Sequence, residues 1–96
     1  MSYKLKFHAI ALKEWEKLDG SIKALFRKTL KERLIAPHVE SSRLSSMKNC
    51  YKIKLKSAGF RLVYKVRDNE LVVIVVAIGK RERNQVYKSA IRRIKN

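Results

Sequence analysis

Alternation of apolar and basic residues is the clearest pattern in the chain, and it lies between positions 51 and 67. In a β-strand, successive side chains point to opposite faces of the sheet. The segment Tyr51–Leu55 places its apolar residues on one face and two lysines on the other. The segment Phe60–Arg67 alternates in the same way, with arginines and a lysine on its polar face. The two segments predict a pair of half-buried strands joined by a short loop at Lys56–Gly59.

This predicted pairing sets two cations directly against each other. With Lys56–Gly59 as the hairpin loop, Leu55 lies opposite Phe60 and Lys54 falls opposite Arg61. Like charges that face each other across a sheet are destabilising. No Asp or Glu within these strands would neutralise the pair. The sequence therefore predicts that this face of the sheet is reserved for an anion.

Helical periodicity predicts two helices before these strands. Apolar residues recur at helical spacing from His8 to Leu18, and a second apolar stripe runs from Ile22 to Leu34 and ends before Pro37. Between them, Gly20 suits the position just after the first helix and Ser21 suits the N-cap of the second. The short break predicts a helical hairpin.

Two further strands and a last helix complete the predicted fold. Tyr3–Phe7 alternates apolar residues with lysines, and Leu71–Ile78 is apolar on both faces, which is typical of a central strand. Asn84 can cap a final helix. We predict one domain over residues 1–96, with an α+β fold. It consists of a compact antiparallel sheet, the N-terminal helical hairpin packed on one face and a C-terminal helix.

A turn at Asp68-Asn69 would also set the register of the last two strands. It would pair Tyr64 near Val73 and Phe60 near Ala77. The chain leaving the last strand then emerges beside the two opposed cations. The residues predicted to converge at this end of the sheet are Lys52, Lys54, Arg61, Arg81 and Tyr87.

Composition indicates the kind of partner. The chain has 24 Lys and Arg against 8 Asp and Glu, a net charge of +16, which indicates a nucleic-acid partner in preference to a membrane surface.

The longest apolar run, Leu71–Ile78, is too short to span a bilayer. The opening segment predicts neither a signal peptide nor a membrane anchor. A single cysteine, Cys50, suits a reducing compartment, and we expect a cytoplasmic protein without membrane partners.

The candidate chemistry depends on cations and a tyrosine. Cleaving RNA through its own 2′-hydroxyl requires a base, positive charge at the phosphate and an acid for the leaving oxygen. The two histidines lie outside the basic strands, and the sequence shows no paired carboxylates and no metal-ligand cluster, so no cofactor or metal is expected. A lysine crowded by like charges has a lowered pKa and can act as a base, while arginines hold a phosphate. The alternatives are that the lysines are merely solvated and that Tyr87 only packs on the sheet.

Three stretches resemble one family of proteins. LKEWEKLD (12–19), MKNCYKIKLKSAGFRLVYKV (47–66) and VAIGKRERNQVY (76–87) are similar to the RelE family of toxin–antitoxin toxins, and the resemblance covers nearly the whole chain. It implies a microbial-ribonuclease-like α+β fold. It also implies an endoribonuclease that cuts messenger RNA in the ribosomal A site by 2′-hydroxyl attack, without metal.

The resemblance also implies roles for individual residues. The family's catalytic set falls on Lys52, Lys54, Arg61, Arg81 and Tyr87. Lys54, helped by Lys52, would act at the 2′-hydroxyl, and Arg61 would stabilise the phosphate. Arg81 would assist the leaving group, and Tyr87 would orient the bases around the cut.

Further cations are predicted to bind RNA, namely Arg43, Lys65 and Arg83. One position departs from the family pattern, because Ser45-Ser46 stands where the family often has Arg-Gly. Arg43 would compensate in part for that lost charge, and a weaker contact with RNA is the expected consequence.

The resemblance implies partners, and two alternative functions stay open beside it. The implied partners are a cognate RelB-like antitoxin, the 70S ribosome and messenger RNA, with DNA bound only through the antitoxin complex. An antitoxin that moves the last helix would displace Tyr87. One alternative is a ParE-like toxin that poisons DNA gyrase, although such toxins generally lack this lysine–arginine–tyrosine set. The other is a non-catalytic ribosome- or RNA-binding module, which needs the basic face but not Tyr87.

Overall fold

Four strands and three α-helices form the part of the chain that this computed structural model describes, residues 2–82 and 84–95. The strands are β1 (Lys4–Phe7), β2 (Cys50–Leu55), β3 (Phe60–Arg67) and β4 (Val72–Lys80). The helices are α1 (Ala9–Glu16), α2 (Gly20–Ile35) and α3 (Gln85–Lys95). The predicted order of elements and the α+β class are confirmed. None of the helices within these residues has the length and apolar character needed to cross a membrane.

The sheet has the strand order β1-β4-β3-β2, which confirms β4 as an interior strand. Strands β2, β3 and β4 are antiparallel, as predicted, whereas β1 lies parallel to β4. The helical hairpin explains this direction. The Tyr3 amide donates to the Leu34 carbonyl at 2.7 Å, so α2 returns the chain to the end of the sheet where β1 starts. The β2–β3 and β3–β4 hairpins each reverse the chain, so β4 runs in the same direction as β2 and β1.

The hairpin of β2 and β3 has the predicted register. Leu55 pairs with Phe60, and Lys54 pairs with Arg61. The loop between them closes through the Gly59 amide, which donates to the Leu55 carbonyl at 2.8 Å. Gly59 has a φ of 71°, a conformation that glycine adopts without the steric cost of a side chain.

The predicted register of β3 with β4 is wrong. The observed Cα partners are Tyr64–Val75 and Phe60–Lys80, in place of Tyr64–Val73 and Phe60–Ala77. A 3-10 turn at Asp68–Glu70 followed by Leu71 in the left-handed region (φ 53°) makes the loop longer than a two-residue turn. A bulge beside Tyr64 shifts the pairing further. The shift extends β4 to Lys80 and so carries the following residues closer to the β2–β3 loop.

The core has one layer on each face of the sheet. Helices α1 and α2 cover one face, where the fully buried residues include Phe26, Leu30, Leu62, Tyr64 and Val75. Helix α3 covers the other face, where the buried residues include Val63, Val76, Ala77, Val86 and Ala90. Because β4 is buried on both faces, the basic residues of this sheet lie on the other three strands, apart from Lys80 at the end of β4.

The predicted cap of α2 is wrong by two positions. Helix α2 begins at Gly20, and Asp19 occupies the N-cap position with an extended backbone. The expected roles of Gly20 and Ser21 therefore do not occur, because both residues are already inside the helix. At α1 the N-cap is His8, whose Nδ1 accepts a hydrogen bond from the Ile10 amide at 3.2 Å.

A polar network ties the loop after α2 to the β3–β4 turn. His38 Nε2 lies 2.8 Å from Asp68 Oδ1, and the Tyr3 hydroxyl donates to the same oxygen at 2.6 Å. His38 Nδ1 lies 2.6 Å from the Tyr51 hydroxyl. The hydrogen bonds from Tyr3 and His38 hold the pKa of Asp68 below its ordinary value. The hydrogen bonds that Asp68 accepts therefore stabilise the fold more strongly when its carboxyl group is ionised.

Replacing Asp68 with asparagine should make the free energy of unfolding less sensitive to acid. A carboxylate whose folded-state pKa is lowered adds stability above its unfolded pKa of about 4 and loses it as the pH falls through the folded value. Urea titrations at several pH values should give a steeper loss of stability below about pH 4 for the parent than for Asp68→Asn. Asp19→Asn, an exposed aspartate without a capping hydrogen bond, should keep the steep profile. Equal slopes for parent and Asp68→Asn would contradict the assignment.

Candidate active site

The β2–β3 hairpin carries three cations on one face. Tyr51 and Ile53 are buried beneath α1 and α2, so the lysines that alternate with them face the side of the sheet on which α3 lies. Lys54 is exposed, and Lys52 and Arg61 are partly exposed. The predicted opposition of Lys54 and Arg61 is present, with the second lysine one step along the same face.

The charges around Lys54 change its proton affinity. The positive charge of Lys52 lowers the pKa of Lys54 most strongly. Desolvation, the charge of Arg61, a hydrogen bond with Lys52 and the charge of Lys56 lower it further. A lysine with a lowered pKa has a larger neutral fraction near neutral pH, and the neutral amine is the form that can accept a proton.

Arg81 reaches the same site from the end of β4. Its backbone amide donates to the Gly59 carbonyl at 2.8 Å, which fixes the residue beside the hairpin loop. A pocket of about 120 Å³ lies at this junction. Its lining residues are Lys54, Leu55, Lys56, Gly59, Phe60, Arg61 and Arg81. Four of the seven carry positive charge and none carries negative charge, so the pocket suits an anionic group such as a phosphate.

Tyr87 enters the site from the first turn of α3. The helix lies close to the sheet at Gly79, where an added Cβ would come within 3.1 Å of the Val86 side chain. Gly79 is the register partner of Arg61 in β4. This close approach places the next helical residue, Tyr87, against the arginine.

The tyrosine and Arg61 contact each other in two ways. Arg61 Nη1 donates to the Tyr87 hydroxyl at 3.4 Å, and the guanidinium carbon lies 5.4 Å from the centre of the tyrosine ring. Within the described residues, Arg61 Nε is buried without a hydrogen-bond partner. A buried donor without a partner is costly, and the guanidinium group is held in this position by its contacts with Tyr87.

The three other predicted RNA-binding residues have different outcomes. Arg43 forms a backbone bridge with Tyr51 and pairs with Glu40 at 3.2 Å, so the structure does not bring it into the cluster. Lys65 lies on the same face of β3 as Arg61, about 13 Å further along the strand. Arg83 lies outside the described residues.

Other groups with potential chemistry lie outside the cluster or are buried. His8 caps α1 and His38 belongs to the polar network, so neither histidine joins the basic residues. Burial raises the pKa of the Cys50 thiol to about 11, which keeps it protonated at neutral pH. Among residues 2–82 and 84–95, no three His, Cys, Asp or Glu side chains are grouped to hold a metal ion. The side chains of this cluster that could exchange a proton are therefore those of lysine, arginine and tyrosine.

One residue of the pocket was missed in the sequence. Lys56 lines the pocket and contributes to the lowered pKa of Lys54. The signal was present, because Lys56 directly follows β2 and begins the hairpin loop. A loop cation next to two strand cations adds to the same local field.

Known proteins match both the sequence and the fold. Residues 5–85 match the family described as the ParE toxin of type II toxin–antitoxin systems, parDE. The chain is 49% identical over 94 residues to the mRNA interferase toxin RelE of Escherichia coli strain K12, which covers 98% of this chain and 99% of that protein. A free E. coli RelE toxin with two arginine-to-alanine substitutions has a TM-score of 0.90 at 47% identity, covering 98% of this chain and 99% of the other.

A second solved structure extends the match to a complex. The toxin in the intact E. coli RelBE toxin–antitoxin complex has a TM-score of 0.82 at 48% identity, and the match covers 85% of this chain and 100% of the other. These similarities in sequence and in fold extend over nearly the whole chain. The chain therefore belongs to the RelE family of type II toxin–antitoxin toxins, within the RelE/ParE superfamily.

Proposed function

We propose that this protein is an endoribonuclease toxin that cuts messenger RNA in the ribosomal A site. The observation that carries the proposal is the pocket where Lys54, Arg61 and Arg81 meet, with Tyr87 packed on Arg61. The name of the E. coli relative, an mRNA interferase toxin, supports the same activity.

The reaction can be written with the RNA, these side chains and water. The neutral amine of Lys54 takes the proton from a 2′-hydroxyl, and the resulting oxygen attacks the adjacent phosphorus. Arg61 stabilises the negative charge that develops on the pentacoordinate phosphate. The bond to the 5′ oxygen breaks while Arg81 stabilises the negative charge that develops on that oxygen. A water molecule protonates the oxygen and is itself restored by the proton that Lys54 accepted. The products are a 2′,3′-cyclic phosphate and a 5′-hydroxyl end.

Ribosome dependence follows from the weakness of this acid–base set. Lysine and arginine are inefficient proton-transfer groups at pH 7, so most of the rate must come from positioning. Holding the reacting groups in line can supply on the order of 7–11 kcal/mol. A ribosome that holds the messenger rigidly in the A site would supply that positioning. The net charge of +16 supports docking on ribosomal RNA, and this target would place the protein in the cytoplasm.

Ribosome binding should weaken steeply as salt is added. Neutralising several phosphates releases counterions, and six to ten such contacts lower affinity by about 10³- to 10⁵-fold between about 50 mM and about 200 mM salt. A plot of log affinity against log salt concentration measures this directly. A slope near zero would contradict docking through the basic surface.

We propose a RelB-like antitoxin as the natural inhibitor. The E. coli relative is a toxin in an intact RelBE toxin–antitoxin complex, and this chain's charge favours an acidic partner. DNA binding would occur only through that complex. An antitoxin that moves α3 would separate Tyr87 from Arg61 and so inactivate the pocket. An antitoxin-bound structure with Tyr87 undisturbed would exclude this mode of inhibition.

The decisive experiment offers the purified protein a defined messenger, alone and on ribosomes with an empty A site. Ends are mapped to the nucleotide, and the 5′-hydroxyl is identified by its resistance to a 5′-phosphate-dependent exonuclease. Cleavage inside the A-site codon only on ribosomes would support the proposal. Ribosome binding without cleavage would favour a non-catalytic binding module.

Inhibition of DNA gyrase is the second candidate, because the matching family is described as the ParE toxin. It predicts inhibition of gyrase-dependent supercoiling without RNA cleavage. Gyrase inhibition does not use the RNA-cleavage chemistry of the pocket. Under this candidate, Arg61→Ala should therefore inhibit gyrase as well as the parent does. A-site cleavage with normal supercoiling would exclude this candidate.

A further inference from the structure

Near the end of β4, backbone groups on the edge facing away from β3 form hydrogen bonds with side chains instead of with a neighbouring strand. Strand β1 pairs with β4 only as far as Val75. Beyond that point the Ile78 amide donates to the Glu14 carboxylate at 3.1 Å, and the Val76 carbonyl accepts from Arg93 at 2.8 Å. Val76 is the residue that the β-bulge leaves without a register partner in β3. Glu14 and Arg93 therefore satisfy backbone groups that no neighbouring strand pairs.

The same two side chains form a bidentate ion pair. Arg93 donates from Nη1 to Glu14 Oε1 at 2.7 Å and from Nη2 to Glu14 Oε2 at 3.0 Å. Their side chains are only 13% and 30% exposed, respectively. Bidentate, charge-assisted bonds of this kind are strong and geometrically specific. Removing one partner from a sheltered pair leaves an uncompensated charge behind.

The pair links two helices on opposite faces of the sheet. Glu14 belongs to α1, which packs on one face, and Arg93 belongs to α3, which packs on the other. Apart from the contact of Tyr87 with Arg61, the other described contacts of α3 with the sheet are apolar, with Val86 and Ala90 buried. The ion pair therefore fixes the position of α3 along β4, which non-directional apolar contacts define less sharply.

The position of α3 in turn determines the contact between Tyr87 and Arg61. Tyr87 precedes Arg93 by fewer than two helical turns, about 9 Å along the axis. We infer that Glu14 and Arg93 are positioning residues for the active site, which hold α3 so that Tyr87 keeps Arg61 oriented. The part of this inference that concerns cleavage rests on the proposed function, whereas the part that concerns the position of α3 does not.

The first test replaces Glu14 with glutamine, which keeps the size of the side chain and removes its charge. Backbone amides of α3 should exchange with deuterium at least about 10-fold faster, because helix opening is no longer opposed by the pair. Amides of the β2–β3 hairpin should be unchanged. Glu70→Gln is the matched control, because it makes the same change in an exposed pair with Arg67 at 3.5 Å. Unchanged exchange in α3 would overturn the inference.

The second test measures cleavage of messenger on ribosomes. Glu14→Gln should lower kcat by about 10- to 100-fold, the range expected for a small misplacement of a catalytic group, with little change in KM. If Glu14 acts through Tyr87, the double variant Glu14→Gln/Tyr87→Ala should be no slower than Tyr87→Ala alone. Fully additive effects, or faster exchange in α3 with unchanged kcat, would overturn the positioning role.

Arg93→Lys provides a second variant if Glu14→Gln does not fold. It keeps the charge but loses the bidentate geometry, so it should show smaller changes in exchange and in kcat in the same direction. Parent-like exchange in Arg93→Lys and Arg93→Gln would overturn the inference. A parent protein that cleaves nothing would refute the proposed function, whereas the exchange measurement would still decide whether the pair holds α3.

Discussion

Replacing Arg61 with alanine is expected to lower the single-turnover rate of messenger cleavage on ribosomes by about 100- to 1000-fold. Arg61 lines the cationic pocket. Tyr87 orients it, and its buried Nε lacks a partner in the described part of the chain. Ribosome binding should change little, because one of 24 basic residues is lost. Quenched time courses at saturating protein measure the rate, and sedimentation with ribosomes measures binding.

Two further variants separate geometry from charge. Arg61→Lys keeps the charge and loses the planar fork of donors, so it should remain far slower than the parent. Arg67→Ala removes an arginine from the same strand, where it is exposed and paired with Glu70, and should cleave at the parent rate. Parent-like cleavage by Arg61→Lys would show that charge alone suffices, as the binding-module alternative predicts.

Replacing Lys54 with glutamine should slow cleavage by about 10²- to 10⁴-fold, the usual contribution of a general base.

The role of Lys52 can be tested through the pH dependence of cleavage. Because the charge of Lys52 lowers the pKa of Lys54, Lys52→Gln should raise that pKa and shrink the neutral fraction of Lys54 at pH 7. The ascending limb of the pH–rate profile should therefore move to higher pH in Lys52→Gln.

The control for this shift is Lys28→Gln, which removes the same charge from the exposed surface of α2. It should leave the pH–rate profile in place. Parent-like cleavage by Lys54→Gln would show that Lys54 is not the base. An undisplaced profile for Lys52→Gln would show that the charge of Lys52 does not tune the pKa of Lys54.

Local pattern was sufficient to predict the basic hairpin. Strict alternation and a four-residue connection leave one register for Lys54 and Arg61, and that register is observed. The convergence of Arg81 on this hairpin was also predicted correctly, although the β3–β4 register was wrong. The end of β4 lies beside the β2–β3 loop in either register, so the conclusion does not depend on the bulge.

Features that depend on distant parts of the chain were not predictable. The direction of β1 follows from where α2 ends, which the periodicity of α2 does not encode. Glu14 and Arg93 are 79 positions apart, and each looks like an ordinary surface charge within its own helix. The convergence of Tyr87 on the basic residues was predicted, but its direct packing on Arg61 requires the close approach of α3 at Gly79, which only the assembled sheet shows.

The pairing of Lys54 with Arg61 favours anion binding but lowers the folding stability of the protein. Like charges directly across two strands destabilise a sheet, so the pocket that favours an anion weakens the empty protein. Neutral substitutions at Lys54 should therefore raise the thermal midpoint while removing activity, as is common when functional sites are traded for stability. A selection of variants for expression or heat resistance alone would accordingly enrich inactive toxins.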